Sequence, residues 1–387
     1  MTARSPWIAV LLVSTTATAF SIMQGLTYPM LALLLEEAGA SRTAIGANAA
    51  MTPIGMLAAA ALAPRLVGRL GPFRTAVLSL IAAALSLALI GLTPPGVLWM
   101  PFRFVIGITI ALIFVVTDTA VTSVAGRDMR GRALGIYATF ISIGFGAGTL
   151  ILATLGSGPA AFIAGTACIL GAILPFTLVR RHLAHASEEK PGSVLGIVTV
   201  IPMLLLTVGV VALSDQAVLS LVPVYVLQHG FTAREAGFSV LAMVAGNLVL
   251  QYPLCWLADR LTRLAVSILC GVVATLAALS WPLVADHLIP FWIALFFWGG
   301  TFFTIYTLAI VRLGDRLSGA ALVAGNAAFS ALWGIGGALG PPLIGAAMDD
   351  FGTEALPLLS AALYAALTLC FLLQSDRPRS SPEAGRA

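Results

Sequence analysis

Gly39-Ala40-Ser41-Arg42-Thr43-Ala44-Ile45-Gly46 returns 191 residues later as Gly230-Phe231-Thr232-Ala233-Arg234-Glu235-Ala236-Gly237. The same displacement carries Leu66-Val67-Gly68-Arg69-Leu70 onto Leu257-Ala258-Asp259-Arg260-Leu261, so two separate loops agree on one register without a gap. Loops between apolar segments share composition for simple reasons, but composition does not impose a common spacing. The 387-residue chain therefore reads as two copies of one unit. Ser41 and Thr232 stand where each copy starts a helix, positions at which a side-chain oxygen caps the first-turn N–H groups.

The whole chain is 59% hydrophobic and 9% charged, with a mean hydropathy of +1.02. A soluble domain carries about 25% charge, so this composition excludes a soluble enzyme and a disordered chain alike. A spanning helix needs roughly 20 mostly apolar residues. Twelve such segments are expected, at 7–36, 44–64, 74–93, 97–121, 133–155, 159–179, 194–228, 236–257, 264–285, 289–311, 319–346 and 354–374. The expectation is an all-α membrane protein of twelve transmembrane helices in two pseudo-symmetric six-helix bundles. The longest polar stretch runs from Arg180-Arg181-His182 to Lys190-Pro191-Gly192. It divides the chain into a first bundle (1–180), a linker (181–193) and a second bundle with a short tail (194–387).

The net charge of +4 is explained by where its arginines fall and not by a nucleic-acid partner. Numbering the loops alternately places 17 of the 20 Lys and Arg on one side, and the positive-inside rule makes that side cytoplasmic. Both termini are then cytoplasmic. Cys168, Cys255, Cys270 and Cys370 lie in or beside apolar spans without paired spacing and read as small core residues. The first apolar run is too long for a secretory signal core and is expected to remain as the first helix.

The loop Leu257-Ala258-Asp259-Arg260-Leu261-Thr262-Arg263 resembles the loop motif of the major facilitator superfamily. Its counterpart Leu66-Val67-Gly68-Arg69-Leu70-Gly71-Pro72-Phe73-Arg74 keeps the arginines and Gly71 but has Gly68 where that family usually has aspartate. Arg103-Phe104-Val105-Ile106-Gly107 is similar to its arginine-x-x-x-glycine motif, and Arg130-Gly131-Arg132 and Gly340-Pro341-Pro342 are similar as well. The resemblance spans essentially the whole chain and points to bacterial branches. It implies a secondary transporter in the bacterial inner membrane, driven by a proton gradient, with no cofactor. Many drug/proton antiporters carry glycine-proline in the fifth span; here the stretch is Gly144-Phe145-Gly146-Ala147-Gly148-Thr149, without the proline.

An ionisable side chain at mid-bilayer costs about 2.5–3.5 kcal/mol on insertion scales, so each should line water or meet a partner. Asp215, followed by Gln216 and by the helix-perturbing Pro223, is the leading proton-carrier candidate; its structural alternative is a polar lock to a neighbouring helix. By the family resemblance Arg103 would be its electrostatic partner in coupling; by charge alone it equally suits an anionic group or a structural pair. Asp118 lies fifteen residues further along, about 22 Å on a helix, and cannot touch Arg103 directly. In the family that the chain resembles an acid here joins a charge network, so Asp118 is placed with Arg69, Arg74, Arg127, Arg130, Asp259, Arg260 and Arg263 as a gating set expected to steady the outward-open state, with substrate contact as the alternative.

Gln24, Tyr28, Gln216, Asn247, Gln251, Trp298, Tyr306, Asn326 and Trp333 are the candidate cavity residues, each of which could instead serve packing. Together they describe a mostly apolar cavity for a small amphiphilic solute. The glycine-rich fifth and eleventh spans read as close helix contacts, since no nucleotide loop, zinc-binding histidine pair or nucleophile elbow is present. The resulting expectation is a transporter and not an enzyme, working as a monomer with a small-molecule substrate in a lipid bilayer. Efflux by proton antiport and uptake by proton symport both remain open. A non-transporting membrane sensor on the same fold, expected to carry a soluble extension, is the rival of a different class.

Overall fold

The computed structural model describes residues 6–124, 126–180 and 199–374, with side chains except at 6, 61, 122–131, 319, 320 and 323. Twelve spans cross the molecule: α1 (Trp7–Glu37), α2 (Arg42–Ala60), α3 (Leu62–Leu92), α4 (Trp99–Val121), α5 (Arg132–Leu155), α6 (Pro159–Val179), α7 (Pro202–Gln228), α8 (Ala233–Arg260), α9 (Arg263–Val284), α10 (Leu288–Arg316), α11 (Ala324–Phe351) and α12 (Ala355–Leu372). All twelve expected segments are present. The linker expected at 181–193 lies outside the described residues.

Local chemistry sets the boundaries that differ. The described helix of α7 begins at Pro202, whose fixed φ and missing N–H suit a first turn. Helix α8 starts earlier than the apolar pattern suggests because Thr232 and Glu235 form a reciprocal capping box. Between α2 and α3 no open loop intervenes: one helix runs from Arg42 to Leu92, broken by Gly71 at φ 78° and ψ 159°. That positive φ is accessible to glycine at little cost. Pro223, expected to open α7 near the cavity, leaves it continuous from Pro202 to Gln228, although the Leu219 carbonyl loses its usual donor.

The flanks of the molecule are apolar, and its mostly apolar interior also holds polar side chains. Leu85, Ile163, Leu174 and Leu283 are exposed on its flanks, whereas Ser14, Thr16, Ser21, Asn48 and Thr52 are buried. Lipid chains are as apolar as leucine, so burying leucine gives these helices little reason to associate; close van der Waals contact and interhelical hydrogen bonds do. Glycines supply the contact. A Cβ on Gly144 or Gly148 of α5 would fall on the α1 carbonyls of Thr18 or Ile22, and one on Gly336 or Gly340 of α11 on the α7 carbonyls of Gly209 or Leu213. Likewise Gly107 of α4 meets the Thr52 carbonyl of α2, and Gly299 of α10 meets the Met243 carbonyl of α8. Gly55 and Gly246 meet the carbonyls of Phe104 and Phe296 in the same way. Residues of α1 and α2 recur at a displacement of 191, and those of α4 and α5 at 192. The repeat seen in two loops thus extends through the helix contacts.

Gly107→Val is expected to lower thermal stability by about 1–3 kcal/mol through overpacking against a backbone that cannot withdraw. Gly135→Val, where an added Cβ meets nothing within 4 Å, should be near neutral. Unfolding of the purified variants in detergent, followed by tryptophan fluorescence, checks the contrast.

Candidate functional site

The two halves enclose a cavity of about 280 Å³. Its walls are Gln24 and Tyr28 of α1, Pro53 and Met56 of α2, Ile141, Ser142 and Phe145 of α5, and Asp215, Gln216 and Leu219 of α7. Met243, Val244 and Asn247 of α8, Phe302 and Phe303 of α10, and Trp333 of α11 complete it. The repeat register orders this list. Gln24 corresponds to Asp215, Tyr28 to Leu219, Pro53 to Val244 and Met56 to Asn247, each 191 residues apart, while Ile141 corresponds to Trp333 at 192. Both members of every pair line the cavity, so it sits on the axis relating the two halves.

One exchange across that axis shapes the polar wall. In the first half Gly25 of α1 packs on the backbone of Phe145; at the matching contact in the second half, Gly337 packs on Gln216. The small residue has changed helix, which places an aromatic ring from α5 on one side and an amide from α7 on the other. Asp215 is 9% exposed, and its Oδ2 accepts a hydrogen bond from Gln216 Nε2 at 2.9 Å. Among the described residues no cation pairs with it.

Of the expected cavity residues, Gln24, Tyr28, Gln216, Asn247 and Trp333 come together around Asp215. The others lie elsewhere. Gln251, one turn beyond Asn247, donates to Thr307 Oγ1 at 3.1 Å. Trp298 is fully buried in an aromatic group with Trp281, Phe302 and Tyr364. Tyr306 stands behind the lining, against Phe303 and Trp333, and Asn326 is exposed. Residues passed over by the sequence reading include Met56, Phe145, Met243, Phe302 and Phe303. The register would have located Met56 from Asn247 and Leu219 from Tyr28.

Arg103 is 2% exposed but does not line the cavity. Its Nη1 donates to Asn48 Oδ1 at 3.0 Å, and its guanidinium lies 5.8 Å from the Tyr28 ring centroid. No ion pair joins it to Asp215; Tyr28 is the group within electrostatic reach of both. The arginine-x-x-x-glycine spacing has a local cause here. Arg103 and Gly107 are one helical turn apart on α4, and they meet Asn48 and Thr52, one turn apart on α2.

The expected gating residues lie at the end of the molecule that carries most of the arginines, termed here the basic face. Asp118 meets the Tyr137 hydroxyl, which also shares a 2.8 Å hydrogen bond with Thr117. Arg263 pairs with Asp315, and Arg260 lies 3.9 Å over the Trp256 ring, contacts within the second half. Arg69, Arg74 and Asp259 are exposed, and the side chains of Arg127 and Arg130 lie outside the described residues.

At the opposite, distal face the halves are joined. The Asp349 carboxylate of α11 accepts from the backbone N–H groups of Arg42 (3.0 Å) and Thr43 (2.8 Å) and from Thr43 Oγ1 (2.6 Å), with Arg42 Nη1 at 3.6 Å. An acid from one half thereby caps the α2 N-terminus of the other, where the helix dipole favours negative charge. Gln228 of α7 donates to Glu36 of α1 at 2.7 Å and accepts from Thr353. Gly46 of α2 packs on the Pro341 carbonyl, and Gly237 of α8 on Ala153 of α5.

A model of the Major Facilitator Superfamily matches residues 13–325 and 204–387. The chain is 27% identical over 336 residues to the uncharacterized MFS-type transporter YcaD of Escherichia fergusonii, covering 85% of this chain and 86% of that one. It is 28% identical over 342 residues, with the same coverage, to the uncharacterized MFS-type transporter Ent638_1421 of Enterobacter sp. strain 638. Its fold is similar to a point mutant of the nucleoside transporter NupG (TM-score 0.81, 13% identity, 94% of this chain and 99% of that one). It is also similar to a bacterial homolog of the human lysosomal transporter Spinster in an inward-facing, unoccupied conformation (TM-score 0.75, 14% identity, 99% and 100%).

Asp349→Ala is expected to loosen the distal closure. In a background lacking the four native cysteines, spin labels at Ala44 and Phe351 should gain a longer distance population in the variant, read by double electron–electron resonance. An unchanged distribution would show that Asp349 does not hold this face shut.

Proposed function

The chain belongs to the Major Facilitator Superfamily, a secondary transporter and not an enzyme, and from that premise we propose that it moves a small amphiphilic solute by proton-coupled alternating access, with Asp215 as the proton carrier. The observation that carries the reading is a buried carboxylate on the inter-half axis, lining the cavity without a cation partner among the described residues. A group in that position exchanges its proton with whichever side the cavity faces, and its charge state changes the relative stability of the two conformations.

The membrane is the bacterial inner membrane, and the arginine distribution puts the basic face and both termini in the cytoplasm. On that orientation the Asp349 cap and the Gln228 bridge seal the outside, so the cavity faces inward. Opening outward requires these bonds to break. A hydrogen bond to a charged group contributes about 1.5–3 kcal/mol, so contacts at the basic face must form to offset the loss. Asp259, Arg69 and Arg74, exposed in this conformation, are the groups available there. Arg103 acts through Tyr28, the residue placed between its cation and the Asp215 carboxylate. Export by antiport carries proton and solute in opposite half-cycles and uptake by symport carries them in the same one; the chain works as a monomer in either.

Expression-matched strains carrying the protein or Asp215→Asn, compared by untargeted mass spectrometry of cells and medium, are expected to differ in one solute class. The gradient made by the intact protein should collapse with a protonophore, and its sense gives the direction. Equal, protonophore-sensitive accumulation by Asp215→Asn at matched membrane abundance would remove Asp215 as the carrier.

A further inference from the structure

We infer that the cavity selects a protonated organic amine carried on a small aromatic body, with the ammonium group seated between Asp215 and Asn247. The inference rests on reading this cavity as the transport site. Its first support is charge. Asp215 is the single formally charged residue among the described lining residues, and neither lysine, arginine nor histidine joins it. One carboxylate oxygen accepts from Gln216; the other has no donor among the described residues. A buried carboxylate left in that condition is costly, and a ligand cation with N–H donors relieves it.

The second support is independent of the acid. Asn247 Oδ1, on the neighbouring helix α8, is a buried acceptor with no hydrogen-bond partner. The Leu219 carbonyl, one turn beyond Asp215, lacks its helical donor because residue 223 is proline. Acceptors therefore outnumber donors on this wall, the reverse of what an anion or a carbonyl-rich solute requires. Arg103 is the one basic residue among the described buried residues, but it does not line the cavity: its guanidinium lies against the Tyr28 ring and is committed to Asn48. The helices packed against α7 and α8 in the same half fit the rest of the ligand. Phe302, Phe303 and Trp333 present aromatic surface, which packs an apolar ring and attracts a cation. The volume of about 280 Å³ lies at the small end of ligand pockets and suits one ring with a short chain.

The test uses the full-length protein in lipid nanodiscs with three probes of matched shape: phenethylamine, 2-phenylethanol and phenylacetate, titrated at neutral pH against tryptophan fluorescence. The amine should bind about tenfold tighter than the alcohol or the acid, the ratio that one charge-assisted hydrogen bond supplies. Asp215→Asn should erase that ratio while leaving the weak alcohol binding in place. Asp215→Glu should keep the preference, and Asn247→Leu should reduce it several-fold. Equal binding of the three probes, preference for the acid, absence of amine binding, or a preference surviving in Asp215→Asn each overturns the assignment. Amine selectivity without proton coupling would overturn the proton-carrier reading and leave this one standing; coupling without amine selectivity would do the reverse.

Discussion

Helices in lipid gain little from hiding leucine, because the solvent is as apolar as the side chain, so their association depends on how closely their backbones approach. In this protein that approach is made by glycines set against carbonyl oxygens. Gly144 and Gly148 hold α5 to α1, Gly107 and Gly55 hold α4 to α2, and Gly336, Gly340, Gly299 and Gly246 repeat the arrangement in the second half. Every later feature depends on these contacts. They leave no room for the helices of one half to slide, and they bring α1, α2, α7 and α8 to the central axis with Gln24, Met56, Asp215 and Asn247 pointing into one cavity.

The functional chemistry comes from where the repeat is broken. An exact copy would put the same group on both sides of the axis; instead Gln24 faces Asp215, Met56 faces Asn247 and Tyr28 faces Leu219. Charge is thereby concentrated on the second half, while the first contributes an amide, a thioether and a phenol ring. The cation of Arg103 is held outside the cavity lining, hydrogen-bonded to Asn48 and 5.8 Å from the Tyr28 ring centroid. Among the described residues no ion pair neutralises Asp215.

The same broken symmetry governs the distal face. Helix α8 caps itself, since Glu235 stands at its third residue and completes a box with Thr232. In α2 Ser41 still accepts from the Ala44 N–H, but Ala44 has no carboxylate to offer, and the acid at this helix start is Asp349 of the opposite half, on the N–H groups of Arg42 and Thr43. The acid at the helix start is local in one copy and comes from the opposite half in the other. Such a contact is strong enough to hold one conformation and, being confined to a few hydrogen bonds, weak enough to be exchanged for others.

Composition, hydropathy and two short loops determined that this chain spans a membrane twelve times as a duplicated unit, because span length is fixed by bilayer thickness and repeats survive as spacing. Asp215, Gln24, Tyr28, Asn247 and Trp333, which the structure brings to one cavity, stood out in the sequence for a related reason: polar groups are costly within apolar helices, so those present invite a role. What the sequence did not determine was which of these groups meet. Gln251 and Trp298 look as eligible as Asn247 and Trp333, yet one turn of helix or one rotation of its face turns each to a neighbouring helix instead. The apolar lining of Phe145, Phe302 and Phe303 carries no local signal at all among so many similar residues. Asp349 is hidden for the opposite reason, since an acid at a helix end looks like ordinary surface until the packing of the two halves brings it onto the α2 N-terminus more than 300 residues earlier. Only tertiary structure decides such pairings, because they depend on helix rotation and on the approach of one half to the other, neither of which is written in the periodicity of a single span.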